Sequence, residues 1–164
     1  MSKTVTAVVP SPTGNIRITV EGDVLTGLCF TAEACTDIPT ETLRRVAEQL
    51  DEYFAGVRQA FDLPYRLHGT PFQMRVWQAL CEIPYGETRT YREIAVRIGA
   101  PKASRAVGIA NHNNPIDILV PCHRVIGTNG KLTGYADGLE IKAYLLNLER
   151  KSQKSNLLTK ISEP

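Results

Sequence analysis

Hydrophobic and polar positions alternate through much of the first 30 residues of this 164-residue chain. Asn15 to Val20 switches face at every step. Asp23 to Phe30 does so again after Glu21-Gly22-Asp23, a turn signal, so the spacing predicts β-structure here. The period then changes. Leu43, Val46, Ala47, Leu50, Tyr53 and Phe54 recur at helical spacing, with Thr40 placed to cap the helix and Gly56 to end it. Phe61 to Leu67 reads as an extended segment or linker.

A second unit begins at Thr70. Thr70-Pro71-Phe72-Gln73 is a capping box with proline at the first helical position, and Phe72, Val76, Ala79, Leu80 and Ile83 form the apolar face behind it. Pro84-Tyr85-Gly86 closes that helix. Thr90 and Glu93 make a second capping box, with Ile94, Ala95 and Ile98 as the buried stripe. Gly99-Ala100-Pro101 breaks this helix, and Lys102 to Asn111 reads as the next one. Two short helices about a three-residue, glycine-containing turn fit a helix-turn-helix, or a plain scaffold. The second helix is poor in long side chains. Ala103, Ala106, Val107 and Ala110 are small, and Arg105 is the one long cation among them. Base readout in a major groove needs several Asn, Gln or Arg. Small residues and one intruding arginine suit a close, sequence-blind approach such as in the minor groove, or else core packing with a surface arginine. The expected fold class is α+β: a small N-terminal α/β domain with a short antiparallel sheet (1–68), a mainly helical C-terminal domain containing the helix-turn-helix (69–152), and a polar, frayed tail from Gln153 (153–164).

Composition narrows the function classes. Hydrophobic residues are 43% and charged residues 22% of the chain, which suits a folded globule rather than a disordered one. No apolar run approaches the roughly 20 residues of a membrane span, and no secretory h-region follows Met1. The four cysteines (Cys29, Cys35, Cys81, Cys122) therefore read as thiols, and the expected location is the cytoplasm. The net charge of +2 hides an asymmetry. Residues 1–65 hold 5 Lys/Arg against 9 Asp/Glu, and residues 66–131 hold 9 against 4. A basic middle segment favours nucleic acid mildly, because phosphate contacts come from local cations; a solvated basic face is the alternative.

The chemistry concentrates in one segment. Ile116 to Val120 is apolar apart from Asp117, reads as a buried strand, and leads into Pro121-Cys122-His123-Arg124-Val125-Ile126-Gly127. Cys29, Cys35 and Cys81 read as small buried hydrophobes. Cys122 differs: the adjacent His123 and Arg124 favour a thiolate. In an extended chain Cys122 and His123 point to opposite faces, so contact between them needs a turn or a bridging water. Metal binding is the rival use of Cys and His, but no second pair stands at zinc-site spacing.

The string from Pro121 to Gly127 resembles the signature of the O6-alkylguanine-DNA alkyltransferases, also called methylated-DNA–protein-cysteine methyltransferases. The similarity extends almost continuously from Phe72 to Glu149. It takes in Ile83-Pro84-Tyr85-Gly86-Glu87-Thr88, Tyr91, Ser104 to Gly108, Asn114-Pro115, Leu132-Thr133-Gly134-Tyr135 and the helix from Gly138. Residues 1–65 are similar only in length and pattern, and the ligands of the family's zinc-binding N-terminal variant have no match here.

The resemblance implies direct-reversal repair without a cofactor or metal: one transfer of the alkyl group of O6-alkylguanine, or of O4-alkylthymine as the alternative adduct, to Cys122. His123 would act as base through a water, and Glu149 would orient it, similar in logic to hydrolase triads. Asn114 would hold the turn before the active segment, and Tyr91 would protonate the leaving base. Arg105 would fill the stack vacated by a flipped nucleotide, with Ala103 and Ala106 allowing close approach. Tyr135 would belong to the loop over the guanine, Lys142 would support the active-site backbone, and Val125 would lie at the substrate. Ala136-Asp137 falls where the family varies. The implied partner is double-stranded DNA bearing alkylated guanine, met by a monomer, with cooperative binding on DNA open. Three rivals remain on the residues alone: a cysteine hydrolase, a lesion-recognition module without repair, and a regulatory helix-turn-helix protein.

Overall fold

A computed structural model of the chain describes residues 3–132, 135 and 138–162, with side chains as far as residue 153. Strands β1 (Thr4–Val9), β2 (Asn15–Glu21) and β3 (Val24–Thr31) form an antiparallel sheet in that order. The alternation in β2 does what its pattern requires: Ile16, Ile18 and Val20 are buried, and the residues between them are half-buried. In β3 the inward residues are Leu25 and Leu28, three apart. A register shift at Thr19/Val20 accommodates this, so Leu28 stands opposite Ile18 and Leu25 opposite Val20. Helix α1 (Glu41–Phe54) lies on the sheet, and its Thr40 cap accepts from the Leu43 N–H at 3.2 Å.

The second half is mainly helical. Helix α2 (Pro71–Cys81) begins with the Thr70/Gln73 capping box. A two-residue strand β4 (Arg89–Thr90) leads into α3 (Tyr91–Arg97), whose own capping box is Thr90/Glu93, and α4 (Ser104–His112) follows. The α3–α4 pair is the helix-turn-helix. Its linker is longer than the three residues expected, because turn structure continues through Pro101 and Lys102; Ala103 is therefore the residue before α4, not part of it. The indole N–H of the sole tryptophan, buried Trp77, donates to the Ala110 carbonyl at 2.9 Å and ties α2 to α4.

Two further expectations are corrected. Ile116 to Val120 is not a strand. Asn114 pins it as a loop by donating to the Val120 carbonyl (2.7 Å) and accepting from the Ile116 N–H (3.0 Å). Within the loop Ile118 takes a left-handed φ of 74°, which a strand cannot contain. A 3-10 turn (Cys122–Arg124) and strand β5 (Val125–Ile126, parallel to β4) come next. The chain also does not leave helical structure at Gln153: α5 runs Leu139–Ser162, and no proline or glycine lies between Leu139 and Ser162 to stop it. Thr133, Gly134, Ala136 and Asp137 of the motifs noted above lie outside the described residues.

One apolar cluster joins the halves, running from Ile16, Leu28, Leu43 and Leu50 to Val76, Leu80, Ile116 and Leu145. Backbone bonds reinforce it. Leu28 donates to the Pro115 carbonyl (3.0 Å) and accepts from the Asp117 N–H (2.9 Å), so β3 fixes the loop ahead of Cys122. Replacing Trp77 by phenylalanine keeps the apolar bulk and removes the bond to Ala110. Urea unfolding followed by circular dichroism should show a loss of about 1–3 kcal/mol.

Candidate active site

The 3-10 turn buries Cys122, His123 and Arg124 together, with 2%, 0% and 8% of their surfaces exposed. The turn answers the geometric difficulty of adjacent residues on an extended chain. It is held from two sides: Asn111 of α4 donates to the Cys122 carbonyl (3.2 Å), and the Cys122 N–H bonds the Val120 carbonyl (2.8 Å).

Behind the turn stands Glu149 of α5, completely buried. Its Oε2 accepts from His123 Nε2 (2.6 Å), from the Tyr53 hydroxyl of α1 (2.6 Å) and from Arg124 Nη2 (3.0 Å). Its Oε1 accepts from Arg124 Nε (2.7 Å) and from the Gly86 N–H (3.4 Å). The Arg124 guanidinium also donates to the Ile83 carbonyl at 2.8 Å. Gly86 reaches its place with φ of 82°, and a Cβ there would strike the Gln153 side chain. Burial by itself pushes the Glu149 carboxyl up, but His123 and then Arg124 outweigh it and hold the group well below the usual carboxylate range. Burial also pushes His123 down, against the pull of Glu149 and with Arg124 and Lys142 adding to the depression. The ring is therefore neutral. An ionised carboxylate only accepts, so Nε2 carries the hydrogen. Nδ1 is left as an acceptor, buried and with no protein partner among the described residues.

The cation that acts on Cys122 is not the one the sequence suggests. Arg124 is turned away to Glu149. Lys142 of α5 is fully buried, with its ammonium 5.8 Å from the centre of the Tyr91 ring. Burial pushes it down to about 8, and the charge of Cys122 pulls it back up. The same attraction, taken from the other side, favours a thiolate. Against it stands Asp117, itself 6% exposed, whose Oδ1 is 3.8 Å from Cys122 Sγ.

Tyr91 connects this interior to a cleft of about 690 Å³ along the helix-turn-helix, lined also by Ser104, Arg105, Gly108, Ile109 and Thr128. Arg105 and Ala106 are exposed on α4 and Ala103 is half-buried at its start, while Val107 and Ala110 face the core. Val125 is buried in β5 and Tyr135 is buried where the chain approaches α5. The structure thus gathers Cys122, His123, Glu149, Asn114, Lys142 and Tyr91 around one turn, and sets Arg105 apart in the cleft lining, with Ala103 and Ala106 beside it on the chain but not among the lining residues. Sequence reasoning missed Tyr53, Asn111 and the pairing of Arg124 with Glu149. It also passed over Asp117, although this is the one polar residue in an apolar run. Cys35 and Cys81 are exposed, not buried as expected. Cys35 lies in an irregular segment, and Cys81 is the last residue of α2, where its thiol meets the Tyr65 hydroxyl at 3.8 Å. Among the described residues no three or more His, Cys, Asp or Glu side chains are placed to hold a metal ion, and no helix is long and apolar enough to cross a membrane.

Fold and site together define a helix-turn-helix protein with a buried cysteine set against a histidine–carboxylate pair. Comparison with known families makes this specific. Residues 4–67 match the family model described as 6-O-methylguanine DNA methyltransferase, ribonuclease-like domain, and residues 71–151 match its DNA binding domain. The constitutive methylated-DNA–protein-cysteine methyltransferase of Bacillus subtilis is 50% identical over 88% of this chain and 94% of its own. That of Methanosarcina barkeri is 65% identical over 65% of this chain and 67% of its own. The crystal structure of OGT from Mycobacterium tuberculosis in complex with DNA superposes with a TM-score of 0.81 at 49% identity, covering 88% of this chain and 92% of that one. The chain belongs to the 6-O-methylguanine DNA methyltransferase family.

Glu149 is the residue whose loss should be felt most widely. Glu149→Gln keeps the shape but leaves the buried Arg124 without its counter-charge. Thermal and urea unfolding should show a loss of about 3–5 kcal/mol, where an exposed pair such as Arg97–Glu82 would cost under about 1 kcal/mol.

Proposed function

We propose that this chain repairs DNA by direct reversal, transferring the alkyl group of O6-alkylguanine to Cys122 and being consumed in the process. The observation that carries the reading is the buried Cys122–His123–Glu149 arrangement lying behind a helix-turn-helix cleft, in a chain of this family. Sulfur suits the task because a thiolate is strongly nucleophilic near neutral pH. In the proposed step the Cys122 sulfur forms a bond to the alkyl carbon and the carbon–oxygen bond breaks, its electron pair passing to the guanine oxygen. The thiol proton leaves through a water to His123 Nδ1, the acceptor that the bond from Nε2 to Glu149 leaves available. Tyr91 supplies the proton taken up by the purine. A thioether offers no leaving group for regeneration, so one molecule makes one transfer.

The remaining roles fit the same scheme. Asn114 sets the turn that carries Cys122. Lys142 holds positive charge beside the sulfur, and Val125 and Tyr135 border the guanine. A base within a duplex cannot reach a sulfur buried this deeply, so the nucleotide must rotate out. Arg105, exposed in the cleft, enters the vacated stack, and Ala103 and Ala106 permit the close minor-groove approach this requires. The partner is double-stranded DNA bearing alkylated guanine, bound by a monomer through backbone contacts with little sequence preference. A DNA substrate requires residence where the DNA lies, which in a cell without a nucleus is the cytoplasm.

Mixing the protein with a duplex oligonucleotide containing O6-methylguanine should add one methyl mass to the Cys122 peptide, saturating at one equivalent, and Cys122→Ser should abolish it. Turnover beyond one equivalent would instead favour a hydrolase. Arg105→Ala should slow transfer from the duplex by about tenfold or more, the cost of unstacking now being uncompensated, and leave transfer from the free base unchanged. Equal losses on both substrates would exclude a flipping role.

A further inference from the structure

Tyr53 has no part in the alkyl-transfer scheme, yet it reaches the site from the other half of the chain. It stands in the last turn of α1, and its hydroxyl meets Glu149, 96 positions further on. The side chain is completely buried. Its ring packs among those of Phe54, Phe61 and Tyr85, with centres 5.4, 5.6 and 6.4 Å away, so the hydroxyl is held in place by aromatic neighbours on both sides of the domain boundary. Burial, and then the charge of Glu149, push the phenol well above its ordinary range. It therefore keeps its hydrogen and serves the carboxylate as a donor.

Which oxygen receives that bond matters. Tyr53 donates to Oε2 at 2.6 Å, the same oxygen to which His123 Nε2 donates at 2.6 Å. A carboxylate favours a proton on a neighbouring imidazole through its charge, and each further hydrogen bond to the anion weakens that pull. Arg124 weakens it too, with Nη2 on Oε2 and Nε on Oε1. Among the described residues, the titratable and charged groups facing the carboxylate–imidazole pair come from several elements. They are Tyr53 of α1, Tyr85 of the turn after α2, Arg124 of the 3-10 turn and Lys142 of α5, together with Cys122, against whose sulfur Asp117 lies. Glu149 favours a proton on the ring, and Arg124 and Lys142 disfavour it. Tyr53 carries no charge and acts on this balance through one short bond.

We propose that Tyr53 is a positioning residue for alkyl transfer: by donating to the Glu149 oxygen that His123 shares, its hydroxyl limits how strongly the carboxylate draws a proton onto the ring. This deepens the repair reading and rests on His123 being the base that receives the Cys122 proton. A ring that already carries a second proton has no lone pair at Nδ1 to offer. The N-terminal half of the chain thereby enters the chemistry through a single hydroxyl, acting by way of Glu149.

The test is an NMR titration of the full chain with isotope-labelled histidine rings. The chain has three histidines, so His68→Gln and His112→Gln assign the His123 signal. In Tyr53→Phe, which keeps the ring and removes the hydroxyl, the His123 midpoint should rise by at least about half a pH unit, with His68 and His112 unmoved. Phe61→Leu disturbs the same aromatic group but keeps the hydroxyl, and should leave the His123 midpoint in place. Tyr53 replaced by 3-fluorotyrosine, a stronger donor of nearly the same shape, should move the midpoint the other way and serves if the phenylalanine variant folds poorly. Single-turnover methyl transfer from an O6-methylguanine duplex is the second reading. Below the wild-type midpoint the limiting rate of Tyr53→Phe should fall by about threefold, the factor that half a pH unit represents. Well above it the rate should match the wild type, and the duplex concentration giving half the limiting rate should be the same throughout. A His123 midpoint that stays or falls in Tyr53→Phe, or that rises equally in Phe61→Leu, overturns the proposal, as does a rate loss equal at every pH. A wild type that is never methylated sinks the repair reading, while the titration still judges the hold of Tyr53 on the ring. A wild type that is methylated, with a midpoint that Tyr53→Phe leaves unmoved, does the opposite.

Discussion

A fully buried carboxylate is tolerated in a protein interior only when hydrogen bonds and opposite charge replace the water it has lost. Glu149 meets that demand with four donor residues from three places: Tyr53 of α1, the Gly86 amide in the turn after α2, and His123 and Arg124 of the 3-10 turn, while α5 carries Glu149 itself. These elements come from both halves of the chain. Satisfying one carboxylate therefore fixes the sheet domain, the turn carrying the cysteine and the last helix relative to one another. The cleft along the helix-turn-helix takes its position from that arrangement, because β4 pairs with β5, the strand that leaves the turn.

The same carboxylate decides how the histidine can act. Arg124 supplies the charge that Glu149 needs, so His123 is left neutral, with its hydrogen on Nε2 and a lone pair on Nδ1. An arrangement in which His123 alone balanced Glu149 would hold the ring protonated and unable to accept a proton. Arg124 thus matters to the chemistry through its effect on a neighbour's protonation, and Lys142, not Arg124, is the cation whose charge is felt at the sulfur.

What the amino-acid pattern revealed depended on how local each feature was. The Thr70/Gln73 and Thr90/Glu93 capping boxes, the alternation of β2 and the face of α1 are decided within one or two turns of chain, and all were legible. The bond between Tyr53 and Glu149 joins residues 96 positions apart, and nothing near either predicts it. Ile116 to Val120 reads as a strand because Ile, Leu and Val suit strands; the left-handed Ile118 that breaks it is imposed by Asn114 and β3. Asp117 was visible as a polar interruption, but its direction depends on that unforeseen loop. The cysteines show the same limit. Membership of an amphipathic helix suggested burial for Cys81, yet its place at the helix end leaves it exposed. The segment around Cys122 stood out because its unusual residues are adjacent in sequence, whereas the carboxylate behind it was legible only through the family resemblance.

The loop ahead of Cys122 also closes the open side of the N-terminal sheet. The backbone at Leu28, on the outer edge of β3, is occupied by Pro115 and Asp117, and that at Leu25 by Pro64 and Arg66. An unprotected edge strand is a template for pairing with another chain. The segment that shapes the chemistry is thus also a guard against self-association. Evolution is less free to rebuild it than a solvent-facing loop, since a variant that reshaped the site at the cost of this seam would be removed as an aggregate before its reactivity could be selected.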